Sequence, residues 1–281
     1  KKTSAIFLVH CSGNPLEMRK ISREAKKLKI LIIEDCSQAP FAKVYKKKPR
    51  FESKSNRSNK SHNCDYVGSF GDVAVFSTMY RKTLQSGGSG GVVYTRQYKI
   101  YKKIIEESDR GRPKWKNSYN SRNPGDTSLS ALNYNTDEIS CAIGLASLKR
   151  IDLAIDKRMS FLKNLSKKIK PLEKFLFHSD FNDGTSPFLL PIILKNQSGI
   201  KKEKIAKMIL AEGIDLSPRY DCVMAKWKII RKLKIKVVKS SNVTEMQSHS
   251  FNLFLNENYT SREANDIYKA LKKVILYLEG K

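Results

Sequence analysis

Short apolar runs alternate with amphipathic segments along the first part of the chain. Residues 4–10 (SAIFLVH) and 30–36 (ILIIEDC) are runs of strand-forming residues. Residues 14–29 lie between them, begin with Asn-Pro, and place apolar side chains at helical spacing. Strand, helix and strand in this order predict a βαβ unit and therefore a parallel sheet. The same patterns predict strands at 73–78 and 91–95 and a helix at 98–108.

The pattern becomes mainly helical after residue 130. Residues 135–169 begin with a capping signal and keep helical periodicity for many turns, which predicts one long helix that bridges two domains. Later elements are predicted as strands at 186–194 and 250–255 and helices at 201–213 and 260–280. We therefore expect an α/β large domain with a mostly parallel sheet over residues 1–150. The bridging helix and a smaller α+β domain then occupy residues 151–281.

Two segments between the predicted elements have no periodicity. Residues 45–64 are polar and rich in serine and lysine, which predicts an exposed, mobile insertion. Residues 109–130 form a predicted loop of a length that is often functional.

The charge of the chain raises the question of a nucleic-acid partner. The 281 residues include 54 Lys and Arg against 27 Asp and Glu, for a formal net charge of +27. A strongly basic protein can bind nucleic acid. Here the lysines are spread over the predicted helix surfaces, and no zinc-finger or RNP-type motif accompanies them. A general lysine bias is therefore the preferred interpretation, and nucleic-acid binding is disfavoured.

Hydropathy and cysteine content bear on the compartment. No apolar run is long enough to span a membrane, so no membrane partner is expected. Five cysteines without a C-x-x-C pair are typical of the reducing cytoplasm. His62 and Cys64 offer two metal ligands, but no second pair stands at ligand spacing, so no metal site is predicted.

Candidate chemistry is concentrated in residues 69–91, SFGDVAVFSTMYRKTLQSGGSGG. Ser77 ends a predicted strand, and Lys82 follows five residues later. The glycines that come next allow a tight turn and a close approach to a flat ligand: Gly87, Gly88, Gly90 and Gly91. Taken alone, Lys82 would be interpreted as one more solvated surface lysine.

Two further polar residues follow the neighbouring predicted strand. Asp35 ends the run at 30–36, and Gln38 comes three residues later. Ligands of open parallel sheets bind beyond the carboxyl ends of the strands. A carboxylate for a pyridine nitrogen, an amide for a phenolic oxygen, a hydroxyl for a phosphate and an amine for a Schiff base together suit pyridoxal 5'-phosphate (PLP). For Asp35 alone, capping of the next turn is the alternative.

These motifs resemble those of the DegT/DnrJ/StrS family of sugar aminotransferases, which have PLP-dependent transferase fold type I, the aspartate-aminotransferase fold. The resemblance rests on IIEDCSQA, GSFGDVAVFST, K-x-L-x-x-x-G-x-G-G (82–91), LNYNTDEISCAIGLASLKRID and LFLNENYTSREANDIYKALKKV, in collinear order over nearly the whole chain. It implies that Lys82 is the Schiff-base lysine and that Asp35 contacts the pyridine nitrogen, Gln38 the phenolic oxygen and Ser77 the phosphate.

The resemblance also implies a homodimer with shared active sites. Asn133, in LNYN, stands where the family uses an asparagine of the adjacent subunit to reach the phosphate. An ordinary Asx turn before the following helix is the alternative.

The implied function is a PLP-dependent aminotransferase of aminosugar or lipopolysaccharide biosynthesis. It would transfer an amino group, with glutamate as expected donor, to a nucleotide-linked keto sugar. Ser89, Asn135 and Arg110 depart from residues common in the family, which leaves the sugar open. The family's N-terminal phosphate-binding turn and ring-stacking aromatic residue have no counterpart here. The large domain is therefore expected to be N-terminally incomplete.

Three alternatives remain, and one of them is a degenerate member of the family without catalytic activity. A PLP-dependent sugar dehydrase of the same family would commonly carry histidine in place of the lysine, and Lys82 argues against it. A non-catalytic nucleic-acid-binding or regulatory protein would make use of the positive charge.

Overall fold

A computed structural model describes residues 3–46, 63–195, 202–217, 226–238 and 240–280. The chain divides into two compact units, Lys1–Asp152 with Asn182–Ser186, and Leu153–Phe181 with Pro187–Lys281. Most of the segment expected to be a mobile insertion, residues 47–62, lies outside the described residues. No helix in the described part is both long and apolar enough to cross a membrane.

The first unit is built around a four-stranded sheet. Its elements are β1 (Ala5–Val9), α1 (Met18–Leu28), β2 (Leu31–Asp35), β3 (Lys43–Tyr45), β4 (Cys64–Tyr66), β5 (Val73–Ser77), β6 (Gly91–Tyr94), α2 (Tyr98–Ser108) and α3 (Glu138–Leu148). The strand order is β1-β2-β5-β6. The first three strands are parallel, and β6 is antiparallel to β5. The predicted mostly parallel sheet is thus confirmed.

Helix α1 covers one face of this sheet, where Met18 and Ala25 pack against Ile32. The helix begins at Met18, four residues later than the Asn-Pro signal predicted. Asn14 has an extended backbone (ψ 124°), as expected for a residue before proline. The chain makes a 3-10 turn at Cys11–Gly13, and the extended Asn14 then separates this turn from the helix.

Strands β3 and β4 form a separate antiparallel pair in which Tyr45 faces Cys64. This pairing brings together the two ends of the segment that joins the strands. Although β3, β4 and this segment lie between β2 and β5 in the sequence, β2 and β5 are neighbours in the main sheet.

The long helix predicted over 135–169 is two helices in the structure. Helix α3 ends at Leu148, and α4 (Ile151–Ile169) begins after a turn at residues 149 and 150. The Arg150 amide bonds to the Ser147 carbonyl, which tightens the last turn of α3 in the manner of a 3-10 helix. Helical periodicity alone did not reveal this break.

The second unit contains most of α4 and an antiparallel sheet of order β7-β8-β10-β9. Its remaining elements are β7 (Leu176–His178), β8 (Leu189–Leu194), α5 (Lys202–Ala211), β9 (Leu216–Ser217), α6 (Lys228–Lys232), α7 (Ser241–His249), β10 (Ser250–Phe254) and α8 (Ser261–Leu278). Residues of α4, α5 and α8 pack on the sheet in one apolar core that includes Leu165, Ile209, Phe251 and Leu271. Helix α8 begins with a capping box between Thr260 and Glu263.

Candidate active site

Asp35 and Ser77 end two neighbouring parallel strands. Asp35 pairs in register with Val75, two residues before Ser77. Side chains in register point to the same face of a sheet, and so do residues two apart. Asp35 and Ser77 therefore share one face at the carboxyl edge, which is where open α/β sheets bind their ligands.

Lys82 lies on the loop that joins β5 to β6. Three backbone hydrogen bonds close this loop: Thr78 N–H to Gly90 O (2.9 Å), Ser86 N–H to Thr78 O (2.8 Å) and Tyr80 N–H to Gly88 O (2.8 Å). Inside it, the Lys82 amide donates to the Met79 carbonyl at 2.8 Å. The lysine thus belongs to a loop that is tied together immediately beyond Ser77.

The amine of Lys82 is half-buried, and its pKa is lowered from the usual lysine value because burial disfavours the charged form. The negative charge of Asp35 acts in the opposite direction and raises the pKa of the amine. The structure therefore brings Asp35 and Lys82 within electrostatic reach of each other. A lowered pKa increases the fraction of neutral amine, the form that reacts with a carbonyl group.

The glycines after Lys82 are explained in part by packing of the loop on itself. A Cβ atom at Gly90 would lie 2.6 Å from Thr78 Oγ1 and 3.0 Å from Ser86 Oγ. These two hydroxyls are buried and lie 2.9 Å apart, within hydrogen-bonding distance. The Thr78–Ser86 pair is not predictable from the sequence, because two small polar residues eight positions apart carry no periodic signal. Gly87 has φ +83°, which favours glycine.

Gln38 is held by the turn that follows β1. The Ser12 amide donates to Gln38 Oε1 at 2.8 Å. Asp35 also caps the turn after its own strand, because its Oδ1 accepts from the Ser37 amide at 2.9 Å. The capping role considered as an alternative for Asp35 is therefore present alongside its position near Lys82.

Asn133 lies on an exposed part of the long loop before α3. An isolated β-bridge joins it to Asp109, and its Oδ1 accepts from the Asn135 amide at 3.2 Å. The Asx turn named as the alternative is thus formed. Within the described residues, the hydrogen bonds of Asn133 stay in its own part of the chain and do not join it to Asp35, Ser77 or Lys82.

One group of side chains in the described residues has the proximity of metal ligands: His10, Glu34 and Cys36, all buried. His10 Nδ1 accepts from the Leu16 amide at 3.2 Å, and Nε2 lies 3.2 Å from Glu34 Oε2. Burial, followed by the charges of Glu34 and Asp35, raises the pKa of the Cys36 thiol and keeps it protonated. Both imidazole nitrogens are engaged, so this group does not fit a metal ion.

Comparison with known proteins decides the family. Residues 1–272 match the DegT/DnrJ/EryC1/StrS aminotransferase family. The chain belongs to this family. The resemblance inferred from the motifs is thereby confirmed.

Two curated relatives of this family member are named as nucleotide-sugar enzymes. The chain is 30% identical over 217 residues to GDP-perosamine synthase of Escherichia coli O157:H7, covering 77% of this chain and 52% of that protein. It is 28% identical over 218 residues to UDP-4-amino-4,6-dideoxy-N-acetyl-beta-L-altrosamine transaminase of Campylobacter jejuni, covering 77% and 51%. The chain thus spans about half the length of the curated relatives it matches.

Solved structures show the same fold. An aminotransferase from Psychrobacter cryohalolentis superposes with a TM-score of 0.80 at 20% identity, covering 99% of this chain and 70% of that one. E. coli GDP-4-keto-6-deoxy-D-mannose-3-dehydratase with bound hydrated PLP superposes with a TM-score of 0.78 at 19% identity, covering 96% and 68%. The fold of this family member is fold type I of the PLP-dependent enzymes, as predicted.

Proposed function

We propose that the protein is a PLP-dependent aminotransferase that transfers an amino group from an amino acid, with glutamate as the expected donor, to a nucleotide-linked keto sugar. One observation carries the proposal. Lys82 has an amine of lowered pKa on a closed loop, within electrostatic reach of Asp35, at the carboxyl edge of a parallel sheet.

The side chains at this edge fit the chemistry of PLP. Lys82 supplies an amine for covalent attachment, Asp35 a carboxylate for the pyridinium nitrogen, and Ser77 a hydroxyl for the phosphate. Gln38 supplies an amide for the phenolic oxygen. These residues all lie within residues 1–150, which we assign as the cofactor-binding domain. When bound, PLP supplies an electron sink that stabilises negative charge at the carbon next to the amino group.

The residues of the chain would perform the remaining tasks. Asp35, as a carboxylate, favours the protonated pyridine nitrogen through its charge. Lys82, with an amine of lowered pKa, would serve as the base that moves a proton at the reacting carbon of the substrate. Its half-burial limits the water that competes for this proton.

The substrate class follows the curated relatives, whose names specify GDP- and UDP-linked aminosugars. Those relatives support an aminosugar pathway such as lipopolysaccharide synthesis, and a related protein is named as a lipopolysaccharide biosynthesis protein. The five cysteines include no C-x-x-C pair, a content typical of the reducing cytoplasm, and we propose a cytoplasmic location.

A homodimer with shared active sites is part of the proposal. Helix α3 has no buried residue although it is rich in apolar side chains. Its Ile139 and Leu145 are 75% and 62% exposed, and Leu132 and Tyr134, on either side of Asn133, are 67% and 70% exposed. Large exposed apolar patches mark protein interfaces. We infer that a second copy of the chain covers this patch and receives Asn133 at its Lys82 site.

The cofactor assignment is tested by reduction and peptide mapping. Protein incubated with PLP is reduced with borohydride and digested, and the pyridoxyl group is expected on Lys82. Lys82→Ala should lose the label, and the matched control Lys103→Ala, an exposed lysine of α2, should keep it. Label on another lysine, or none, would overturn the assignment.

The reaction is tested with glutamate and a panel of GDP- and UDP-linked 4-keto-6-deoxy sugars. Formation of 2-oxoglutarate together with an aminated sugar is the expected result. Loss of water from the sugar without gain of nitrogen would identify the dehydrase instead.

A further inference from the structure

A buried histidine–glutamate pair lies behind the proposed site, on the opposite face of the sheet. His10 follows β1 and Glu34 belongs to β2, and both side chains are completely buried. His10 Nε2 is 3.2 Å from Glu34 Oε2. The carboxylate also accepts from the amides of Gly68 (2.8 Å), Phe70 (2.9 Å) and Gly71 (2.5 Å). These bonds satisfy a charge that would otherwise be costly to bury.

The contacts of His10 assign its tautomer. The Leu16 amide donates to His10 Nδ1 at 3.2 Å, so this nitrogen carries a lone pair. The proton of the neutral ring is then on Nε2, which donates to Glu34. One ring therefore joins the end of β1 to the backbone six residues later and to the centre of the sheet.

The hydrogen bond between His10 and Leu16 encloses residues 11–15, and among them is Ser12, whose amide bonds to Gln38. Ser12 has φ +58°, a left-handed conformation that a serine adopts only with support from its surroundings. In this conformation its amide donates to Gln38 Oε1 at 2.8 Å. An N–H group can bond only to the oxygen end of an amide, so this contact determines which end of Gln38 is the acceptor.

We propose that His10 and Glu34 are positioning residues for Gln38. They hold residues 11–16 in the conformation that presents the Ser12 amide, and this directs Oε1 of Gln38 towards Ser12, so that the N–H end of Gln38 is the one that would donate to the phenolic oxygen of the cofactor. The inference rests on the proposed function for the role of Gln38. A reversed amide would set its oxygen against the phenolic oxygen.

We expect a spectroscopic effect in the PLP-loaded protein when the His10–Glu34 pair is broken. A donated hydrogen bond favours the ionised phenolic oxygen, so loss of the donor raises the pKa that governs the absorbance of the bound cofactor. We expect His10→Asn, which cannot reach Glu34 with an N–H donor, to raise this absorbance pKa by about 0.5 to 1 unit. Gln38→Glu, which still accepts from Ser12 but lacks the N–H donors, should shift it in the same direction.

A double-mutant comparison separates positioning from a general structural role. In a Gln38→Leu background, His10→Asn should no longer change the absorbance pKa, although it should still lower the melting temperature. An equal pKa shift in both backgrounds, or none in the wild-type background, would overturn the inference and leave the cofactor assignment intact. Should His10→Asn fail to fold, Glu34→Gln carries the same expectation and the same contrary outcome.

A measurement without the cofactor keeps this inference distinct from the proposed function. In the cofactor-free protein, His10→Asn should accelerate hydrogen exchange of the Ser12 amide at least tenfold, and Gln38→Leu, which removes the acceptor of that amide, should accelerate it as well. Unchanged exchange of Ser12 in His10→Asn would show that the pair does not hold the turn, whether or not PLP binds.

Discussion

The carboxylate of Asp35 raises the pKa of the Lys82 amine, while burial of the amine lowers it by more. The two residues are 47 positions apart and come within electrostatic reach of each other because β2 and β5 are adjacent parallel strands. Two opposing effects therefore set the pKa of Lys82. The effect of the Asp35 charge can be removed by substitution without changing the loop that carries Lys82.

Asp35→Asn should lower the pKa of Lys82 further in the cofactor-free protein, because the substitution removes a negative charge that favours the ammonium form. The pH dependence of Lys82 acetylation, followed by mass spectrometry, measures this pKa. The matched control Glu107→Gln, at an exposed position of α2, should leave it unchanged. An unchanged or higher pKa in Asp35→Asn would contradict the relationship.

Gly90→Ala should destabilise the first unit by about 1 to 3 kcal/mol, because the added methyl group must displace the buried Thr78 and Ser86 hydroxyls. Gly88→Ala is the matched control, since nothing lies within 4 Å of the added atom. Urea denaturation of both variants measures the difference in free energy of unfolding. Equal losses in the two variants would show that the close approach at Gly90 is not the cause.

The Arg158–Glu257 pair should make the second unit sensitive to acid. Arg158 is buried and bonds to Glu257 Oε2 at 2.8 and 3.1 Å and to the Pro187 carbonyl at 3.3 Å. Burial opposes the charge of Glu257, yet the hydrogen bond from Arg158 holds its pKa below the usual 4.5. Arg158→Met should cost about 1 to 3 kcal/mol at neutral pH.

The sign of the pH effect follows from the lowered pKa of Glu257. The stabilisation that ionised Glu257 provides is complete above the pKa that this residue has in the unfolded chain. It is lost as the pH falls through the pKa that the residue has in the folded protein. The difference in free energy of unfolding between wild type and Arg158→Met should therefore shrink below about pH 4.5. Arg150→Met, at an exposed position, should change stability by less than about 0.5 kcal/mol at any pH. A difference that stays constant down to pH 3 would contradict this account.

Thr260→Ala should destabilise α8 by about 1 kcal/mol, because the threonine hydroxyl accepts from the Arg262 amide and caps the helix. Thr260→Ser keeps the hydroxyl and should retain most of the stability. Thermal unfolding of the two variants decides between capping and a role for the methyl group alone.

Mixing two inactive variants tests the shared site. Lys82→Ala removes the reactive amine, and Asn133→Asp sets a carboxylate against the phosphate. In randomly reassembled dimers half are hybrids, and each hybrid has one intact site, so about a quarter of all sites should be active. If Asn133 served its own subunit, mixing would restore nothing. Hybrid formation is confirmed independently with differently tagged chains.

Much of the first unit could be predicted from the sequence because its elements carry strong local signals. Continuous apolar runs at 30–36 and 73–78 became β2 and β5, and the amphipathic pattern at 98–108 became α2 at the same residues. The start of α1 and the break between α3 and α4 were not predicted. They depend on the backbone of Asn14 and on a single tightened turn, which leave helical periodicity unchanged.

Part of the candidate site could also be predicted from the sequence. Asp35 and Lys82 stand out in the sequence because each follows an apolar run, and the roles of Asp35, Gln38, Ser77, Lys82 and Asn133 all stay predictions. Glu34 was overlooked because it adjoins Asp35 in the sequence. Alternation along a strand sends the two carboxylates to opposite faces, and only the structure shows that one of them is enclosed by backbone amides.

Because Tyr45 pairs with Cys64, the number of residues between these two positions does not affect the geometry of the candidate site. Because Tyr45 and Cys64 face each other in the antiparallel pair of β3 and β4, residues can be gained or lost between these two strands at little thermodynamic cost. A fluorophore or an affinity peptide inserted between β3 and β4 should therefore leave the distance between Asp35 and Ser77 unchanged. Insertions and deletions between β3 and β4 should likewise be tolerated during evolution, so we expect related proteins to differ in length at this position.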